Sequence, residues 1–260
     1  MNLGLKEKVI IVSGGAKGIG EGISGVLATE GAYVAIVGRN EADNQKAIEK
    51  INAAGGQAWS FVSELTQPSE CEKAVHAVVK MFGRIDGLVN NAGVNDGVSL
   101  ENGSYENFIQ SLHNNLIHYY LLAHHALPYL KESKGPIVNI GSKVAETGQG
   151  GTSGYAASNG GRNALTREWA TELLKYGIRV NAVIVAECYT PMYAKWTKDL
   201  PNPAETLAKI TDKIPLGQRM TTVDEIANMV VFLMSKRSSH TTGQIIYVDG
   251  GYTHLDRALT

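Results

Sequence analysis

The stretch YAASNGG (155–161) places a tyrosine and an amide four residues apart. Residues four apart lie on one face of a helix, so Tyr155 and Asn159 would share a side of one helical turn. A free tyrosine has a pKa of about 10, so only about one in a thousand is ionised at pH 7, and a nearby cation lowers that pKa. Position 159 supplies no charge. We therefore expect Tyr155 to be mostly protonated and a poor base unless a cation comes from elsewhere.

The stretch SGGAKGIG (13–20) has the composition of a phosphate-binding loop. Glycine permits a tight turn and lets backbone N–H groups approach a pyrophosphate at a helix N-terminus. The spacing differs from G-x-G-x-x-G, so the loop alone fits either dinucleotide binding or a plain turn between a strand and a helix. Lys17 in this loop and Arg39 after the second apolar run favour NADP over NAD, with solvated surface charges as the alternative.

Seven short apolar runs, rich in Val and Ile, would position these residues. They span 8–13, 33–38, 57–62, 86–90, 136–141, 178–185 and 244–248. Such runs indicate strands that are buried on both faces, and helical patterns lie between them. The alternation predicts one α/β domain over 1–260 with a Rossmann-type, doubly wound, parallel seven-stranded sheet and helices on both faces. Such sheets bind ligands beyond the carboxyl ends of their strands.

Composition argues against several classes of function. The 260 residues are 43% hydrophobic and 19% charged, with a net charge of −1, so nothing points to nucleic acid or an anionic membrane. No apolar run approaches the length of a transmembrane helix. The seven His lack metal-ligand spacing, so we predict no metal site. Cys71 and Cys188 lie far apart and indicate reduced thiols in a cytoplasmic protein.

Over nearly its whole length the chain resembles the short-chain dehydrogenase/reductase family. The segments that carry the resemblance, in order, are SGGAKGIG (13–20), NNAG (90–93), NNL (114–116), IGS (140–142), YAASN (155–159), RVNAV (179–183) and VDGG (248–251). The resemblance implies hydride transfer with NADP, or with NAD. In such chemistry the cofactor carries the hydride, and the protein positions atoms and moves one proton.

The same resemblance implies a role for each matching residue. Tyr155 would be the acid/base, Ser142 would bind the substrate oxygen, and Asn115 would support a water-linked proton relay. Asn159 stands where the family has lysine. The implied cofactor contacts are Gly14, Gly18, Ile19 and Gly20 at the pyrophosphate, Glu64 and Leu65 at the adenine, Asn91 on the adenosine side, and Cys188 and Thr190 at the nicotinamide carboxamide.

Asn159 leaves three interpretations open. The family's lysine hydrogen-bonds the nicotinamide ribose and stabilises tyrosinate by its charge, and asparagine keeps only a hydrogen bond. Asn159 is an engineered substitution that traps an inactive complex, or a natural loss that leaves a weak enzyme or a binding protein, or another cation replaces the lysine. The candidate cations are Lys143, next to Ser142, and Arg162, about two turns after Tyr155 on the same helix face.

The segment 186–215 lies where the family carries a substrate-covering lid. Its aromatic side chains either stack on a sugar face or only pack the lid, and polar residues lie on other loops at the same end of the sheet. The predicted substrate contacts are Asn95, Lys143, Gln149, Glu187, Tyr193 and Trp196. These residues favour a polar site that reads hydroxyl groups over a steroid or acyl pocket.

Four longer segments resemble the sugar-oxidising branch of the family, in particular L-fucose dehydrogenases. They are 114–131, 147–158, 164–174 and 248–260. This likeness implies oxidation of an aldose, such as L-fucose, at its anomeric carbon to a lactone. The alternatives are a carbonyl or 3-oxoacyl reductase and a catalytically weak cofactor-binding protein. By resemblance, the helices around 104–130 and 153–175 form subunit interfaces, which predicts a homotetramer.

Overall fold

Seven parallel strands form the centre of the computed structural model, which describes residues 2–198 and 200–255. In chain order they are β1 (Val9–Ser13), β2 (Tyr33–Gly38), β3 (Gln57–Val62), β4 (Gly87–Asn90), β5 (Ile137–Ser142), β6 (Val180–Val185) and β7 (Ile245–Val248). Each strand coincides with one predicted run to within two residues. The predicted Rossmann-type, doubly wound parallel seven-stranded sheet is therefore confirmed, although the predicted domain range also includes residues outside the described ones.

Helices cover both faces of this sheet. They are α1 (Gly18–Thr29), α2 (Glu41–Ala53), α3 (Pro68–Phe82), α4 (Tyr105–Leu112), α5 (His118–Ser133), α6 (Ser153–Glu172), α7 (Pro191–Lys198), α8 (Pro203–Thr211) and α9 (Val223–Met234). Local signals set several of their ends. Thr222 and Glu225 form a capping box at the start of α9, and α3 ends at Gly83, whose φ of 72° suits glycine.

Alternate residues of β1 pack into different apolar layers. Ile10 and Val12 lie in a buried cluster with α1, α2 and α9, whereas Val9 and Ile11 lie in a second cluster with α3, α5 and α6. Crossover helices cover both faces of a parallel sheet, so its strands read as continuous apolar runs. Each such side chain contributes about 1.5–3 kcal/mol by its burial.

The strand order is β3-β2-β1-β4-β5-β6-β7, so the chain changes direction across the sheet between β1 and β4. Open α/β sheets bind ligands in the crevice beyond the carboxyl ends of the strands at this point. The loops 14–17 and 91–94 follow these two strands and border the crevice. The predicted lid, 186–215, contains α7 and α8, and its residue 199 lies outside the described residues.

No described helix combines the length and the apolar character that a membrane span needs. The described residues also contain no group of three or more His, Cys, Asp or Glu placed to hold a metal. Cys71 and Cys188 are both buried and free. Burial raises the pKa of the Cys71 thiol to about 12 and that of Cys188 to about 11, so both thiols are neutral at pH 7.

Candidate active site

Ser142 and Tyr155 lie at the same end of the sheet. Ser142 is the last residue of β5, and the 3₁₀ turn Lys143–Ala145 that follows packs beside α6. Tyr155 is in the first turn of α6, and both side chains are half-buried. Their elements thus place a hydroxyl and a phenol at the same carboxyl edge of the sheet.

Asn115 is buried in a π-helical turn, His113–Ile117, that joins α4 to α5. Its Oδ1 accepts from the Val94 backbone N–H at 2.8 Å, and its Nδ2 donates to the Ser111 carbonyl at 3.1 Å. Turns of this kind are frequent at functional sites. The Asn115 side chain thus holds the loop after β4. The backbone carbonyl of Asn115 points in another direction, toward α6.

That carbonyl accepts a 2.7 Å hydrogen bond from Nε of Arg162. Nη1 of Arg162 donates to the Ile140 carbonyl at 3.1 Å and to Oδ1 of Asn159 at 3.0 Å. The guanidinium also lies over the Tyr119 ring, 4.2 Å from its centroid. A buried cation, one of the two candidates for the third interpretation, therefore stands in contact with Asn159.

Asn159 is fully buried, and its Nδ2 donates to the backbone carbonyl of Tyr155 at 2.8 Å. Both ends of its amide are thus engaged, one along α6 toward Tyr155 and the other toward Arg162. The Asn159 amide thus links the backbone carbonyl of Tyr155 to the guanidinium of Arg162.

Lys143, the other candidate cation, is paired with a carboxylate. Its Nζ forms an ion pair with Oε1 of Glu187 and lies over the ring of Tyr252, 3.9 Å from the centroid. The second oxygen of Glu187 accepts from the Tyr193 hydroxyl at 2.8 Å. Burial, followed by the charge of Glu187, raises the pKa of Tyr193, so this phenol stays protonated. We call these four residues the Lys143 cluster.

Three of the six predicted substrate residues meet in the Lys143 cluster, Trp196 packs beside it, and Asn95 and Gln149 lie on other loops. Trp196 packs edge-on against Tyr193, with ring centroids 5.2 Å apart, but is half exposed. Asn95 is exposed and accepts only from the Gly97 N–H among the contacts described, and Gln149 is exposed on the loop before α6. The aromatic residues of α7 thus both pack against one another and face solvent.

The glycine loop is closely packed. A Cβ on Gly20 would lie 2.1 Å from the Gly14 carbonyl oxygen, and Gly14 has a φ of 63° that favours glycine. Asn91 fixes the loop by donating from Nδ2 to the Ser13 and Gly14 carbonyls at 3.0 and 3.2 Å. Gly18 and Ile19 open α1, so their N–H groups belong to the unpaired first turn that attracts a phosphate.

The remaining predicted cofactor contacts follow the carboxyl ends of β3 and β6. Thr190 is buried, and its side chain lies 3.3 Å from where a Cβ of Gly18 would stand. Cys188 is buried and pairs its backbone with Thr221 in an isolated β-bridge. Leu65 is buried in the apolar layer that contains α3. The loop after β6 therefore lies against the glycine loop at Gly18, where the cofactor is predicted.

Both cations at the adenosine end have carboxylate partners. Lys17 Nζ lies 2.6 Å from Asp43, and Arg39 Nη1 lies 3.5 Å from Glu64. Partial burial raises the pKa of Glu64, but hydrogen bonds from Thr66 and the charge of Arg39 outweigh it, so the pKa lies below its usual value. Both cations are exposed, so the pairs can rearrange around a ligand.

The sequence did not point to two residues of the site, Tyr252 and Tyr119. Tyr252 follows the VDGG segment and covers Lys143, and Tyr119 packs its ring against Arg162. The aromatic residue directly after VDGG was the available signal for the first. Tyr119 had only its place in an apolar helical stripe, which does not distinguish it from core residues.

The comparisons with known proteins agree with this geometry. A family model described as enoyl-(acyl carrier protein) reductase matches residues 14–253. The 3-oxoacyl-[acyl-carrier-protein] reductase of Thermotoga maritima is 35% identical, over 95% of this chain and 98% of that protein. The L-fucose dehydrogenase of Bos taurus is also 35% identical, over 94% and 88% of the two chains.

Two solved structures extend the comparison. The Cj0485 dehydrogenase superposes with a TM-score of 0.94 at 46% identity, covering 100% of this chain and 99% of that one. A variant of the actinorhodin polyketide ketoreductase with NADPH superposes with a TM-score of 0.91 at 29% identity, over 96% and 98%. The chain belongs to the short-chain dehydrogenase/reductase family of NAD(P)-dependent oxidoreductases.

Proposed function

We propose that this protein oxidises the C1 hydroxyl of an aldose, L-fucose or a sugar like it, to the lactone by hydride transfer to NADP, with NAD as the second cofactor. The observation that carries the proposal is the Lys143 cluster, which sets an ammonium, a carboxylate and two aromatic rings beside the catalytic end of β5 and β6. An ion pair and a phenol are suited to bind neighbouring sugar hydroxyls, and the aromatic faces suit the C–H face of a pyranose.

The proposed chemistry assigns one task to each catalytic residue. Bound NADP supplies the hydride acceptor. Ser142 donates a hydrogen bond to the C1 oxygen and orients it, and Tyr155 takes the hydroxyl proton as the C–H bond breaks. The Asn115 side chain fixes the loop 91–94 through Val94, which keeps that side of the crevice in place.

The cofactor preference rests on charge. Lys17 and Arg39 are exposed cations at the end of the crevice where a 2′-phosphate would lie, and each can exchange its carboxylate for the phosphate. Glu64 argues in the other direction, because a carboxylate accepts from a ribose hydroxyl and repels a phosphate. The similarity to a ketoreductase with NADPH supports the first assignment.

The second candidate function is reduction of a 3-oxoacyl thioester, which the similarity to the Thermotoga enzyme supports. An acyl chain needs an apolar channel, whereas the side chains of Lys143 and Glu187 are 11% and 13% exposed and form a charged pair. Burying a charged pair beside an acyl chain is unfavourable.

The proposal also includes a homotetramer in the cytoplasm, which sedimentation and cell fractionation test.

The deciding experiment compares substrate classes and cluster variants. Glu187→Gln removes one charge and keeps the size of the side chain, and Glu205→Gln on α8, whose carboxylate pairs with an exposed lysine, is its matched control. We expect turnover of L-fucose or another aldose, a higher KM for that sugar in Glu187→Gln alone, and an unchanged dissociation constant for NADPH. Turnover of a 3-oxoacyl thioester without turnover of any aldose would favour the second candidate.

A further inference from the structure

We propose that Arg162 is the fixed cation of this active site and that it acts on Tyr155 through Asn159, in place of a lysine at position 159. The inference rests on the proposed role of Tyr155 as the acid/base, but it does not depend on which substrate is oxidised. Arg162 is thus assigned as a positioning residue whose charge serves the reaction, and Asn159 becomes a working part of the site.

The geometry ties the cation to the base along one helix face. Tyr155, Asn159 and Arg162 are separated by four and three residues, so they lie on one side of α6. Long side chains on a helix run toward its N-terminus, which directs the guanidinium back toward Tyr155. The 3.0 Å bond to Asn159 and the 2.8 Å bond from Asn159 to the Tyr155 carbonyl connect the guanidinium to the backbone at Tyr155, and the charge acts on the phenol across space.

The electrostatic surroundings are unusual for a purely structural arginine. Arg162 is 3% exposed, and within residues 2–198 and 200–255 its hydrogen-bond partners are backbone carbonyls and one amide, with no carboxylate. A buried cation without a counter-ion is expensive in folding free energy. In the proposal, this charge stabilises the negative charge that develops on the Tyr155 oxygen.

One edge of the guanidinium is unpaired and lies beneath Gly93. Among the described residues, Nη2 of Arg162 has no hydrogen-bond partner. It lies 2.9 Å from where a Cβ on Gly93 would stand, and Gly93 is exposed in the loop after β4 that borders the crevice. The unpaired N–H groups are therefore buried beneath the loop after β4, and a side chain at position 93 would collide with this edge of the guanidinium.

Arginine differs from lysine because it keeps its proton at every pH at which the protein is folded. Its guanidinium does not give up a proton in proteins, so it stabilises the tyrosinate but relays nothing. The proton that Tyr155 takes from the substrate therefore passes from the phenol to water, which the half-buried position of Tyr155 allows. Asn115, to which the family resemblance assigns a water-linked relay, accepts directly from Arg162 through its backbone carbonyl.

Neighbouring titratable groups leave the relevant pH range clear. Burial, with the charge of Arg162 acting in the same direction, lowers the pKa of His118 to about 4, although the Asn114 carbonyl and Glu64 oppose it. Burial raises the pKa of Tyr119 to about 12, against the effect of Arg162. On the turn after β5, the ammonium of Lys143 is paired with Glu187. A pH profile between about 6 and 10 therefore does not report the ionisation of His118 or Tyr119.

The test is a compensation experiment with Arg162→Met, Asn159→Lys and the double variant. Arg162→Met should lose on the order of 100-fold in kcat/KM at pH 7, with a loss that shrinks as pH approaches 10. Asn159→Lys alone should give no gain, because the new ammonium meets the guanidinium. The double variant should recover most of the activity, because one cation is again present, and Arg162→Lys should keep the parent pH profile.

Other results overturn the proposal. If Asn159→Lys raises kcat/KM more than about threefold with Arg162 in place, the asparagine is a lesion and Arg162 is not the cation. An Arg162→Met enzyme with parent activity and pH profile has the same meaning. If Arg162→Met does not fold, Arg162→Gln, which keeps donors for the carbonyls without the charge, replaces it under the same criteria.

A readout independent of the substrate separates this proposal from the proposed function. The ultraviolet signal of tyrosinate that Tyr155→Phe removes should appear at lower pH in the parent than in Arg162→Met, whichever substrate is used. An equal onset in both proteins overturns the role of Arg162. Failure to oxidise any aldose, with the onset shifted as expected, leaves the cation assignment intact and rejects only the sugar.

Discussion

The carboxylate of Glu187 links Lys143 to Tyr193, because one of its oxygens pairs with the ammonium and the other accepts from the phenol at 2.8 Å. The three residues come from the turn after β5, the loop after β6 and α7. Sequence distance separates them, but the parallel sheet brings the carboxyl ends of β5 and β6 side by side. This relationship gives the catalytic edge of the sheet its polar character.

Removal of the substrate-oxygen contacts should impair turnover and leave cofactor binding intact. Tyr155→Phe deletes the proton acceptor, so we expect kcat to fall by about 10²–10⁴-fold. The kcat of Ser142→Ala should fall less, because the phenol still reaches the substrate oxygen. Stopped-flow turnover and fluorescence titration with NADPH measure the two effects. A dissociation constant that weakens in parallel with kcat would mean that these residues hold the cofactor instead.

Coupling between Lys143 and Glu187 should be visible in a double-mutant cycle. Lys143→Met and Glu187→Gln each leave a buried charge without its partner, and the double variant leaves none. We expect the two losses of unfolding free energy to be non-additive by about 0.5–3 kcal/mol. Urea denaturation of the four proteins measures this. Strict additivity would show that the pair does not form in solution.

The cations at the adenosine end should control the choice between NADP and NAD. Arg39→Ala and Lys17→Ala should each raise the KM for NADP about tenfold, because each removes an attraction worth on the order of 1–2 kcal/mol to a phosphate. The KM for NAD should change little. Lys73→Ala, an equally exposed ion-paired lysine on α3, is the control. A parallel change in both KM values would contradict the assignment.

Two glycines of α1 offer a matched pair of substitutions. A Cβ on Gly20 would lie 2.1 Å from the Gly14 carbonyl, so Gly20→Ala should displace the glycine loop and weaken NADPH binding. Gly25 has open space around it, so Gly25→Ala should raise the unfolding free energy by about 0.5–1 kcal/mol, since alanine favours a helix. Calorimetry and cofactor titration test both. Equal cofactor binding in the two variants would disprove the packing argument.

Asp86 should make the stability depend on acid pH. Burial opposes ionisation, but hydrogen bonds from Arg84, the Val9 N–H and Lys8 lower the pKa of this carboxyl. Because the folded pKa lies below the unfolded value of about 3.9, the stabilisation is complete above that value and is lost as pH falls. Asp86→Asn should cost about 1–3 kcal/mol at pH 7 and progressively less below about pH 4. Denaturation at both pH values measures the difference.

The sequence predicted the strands accurately because a parallel sheet imposes a local signal. Every residue of β1 is buried, and the local run of Val and Ile is enough to predict this without knowledge of any distant residue. Helix periodicity likewise placed Tyr155, Asn159 and Arg162 on one face. These predictions needed only the local pattern of apolar residues and the helical repeat.

The partners of the charged side chains could not be predicted in the same way. Lys143 and Arg162 were both candidates in sequence, and only the packing shows that one meets Glu187 while the other meets carbonyls and Asn159. Tyr252 lies more than a hundred residues from Lys143 along the chain. Such contacts depend on how loops from different strands converge, which leaves no periodic trace.

The most direct test of the account is steady-state oxidation of L-fucose and a small aldose panel by the unmodified chain. NADP and NAD are each supplied, reduced cofactor is followed by absorbance, and Tyr155→Phe serves as the control. We predict turnover of at least one aldose, faster with NADP than with NAD and lost in Tyr155→Phe. No turnover of any aldose by a folded chain that binds NADPH would contradict the proposed function.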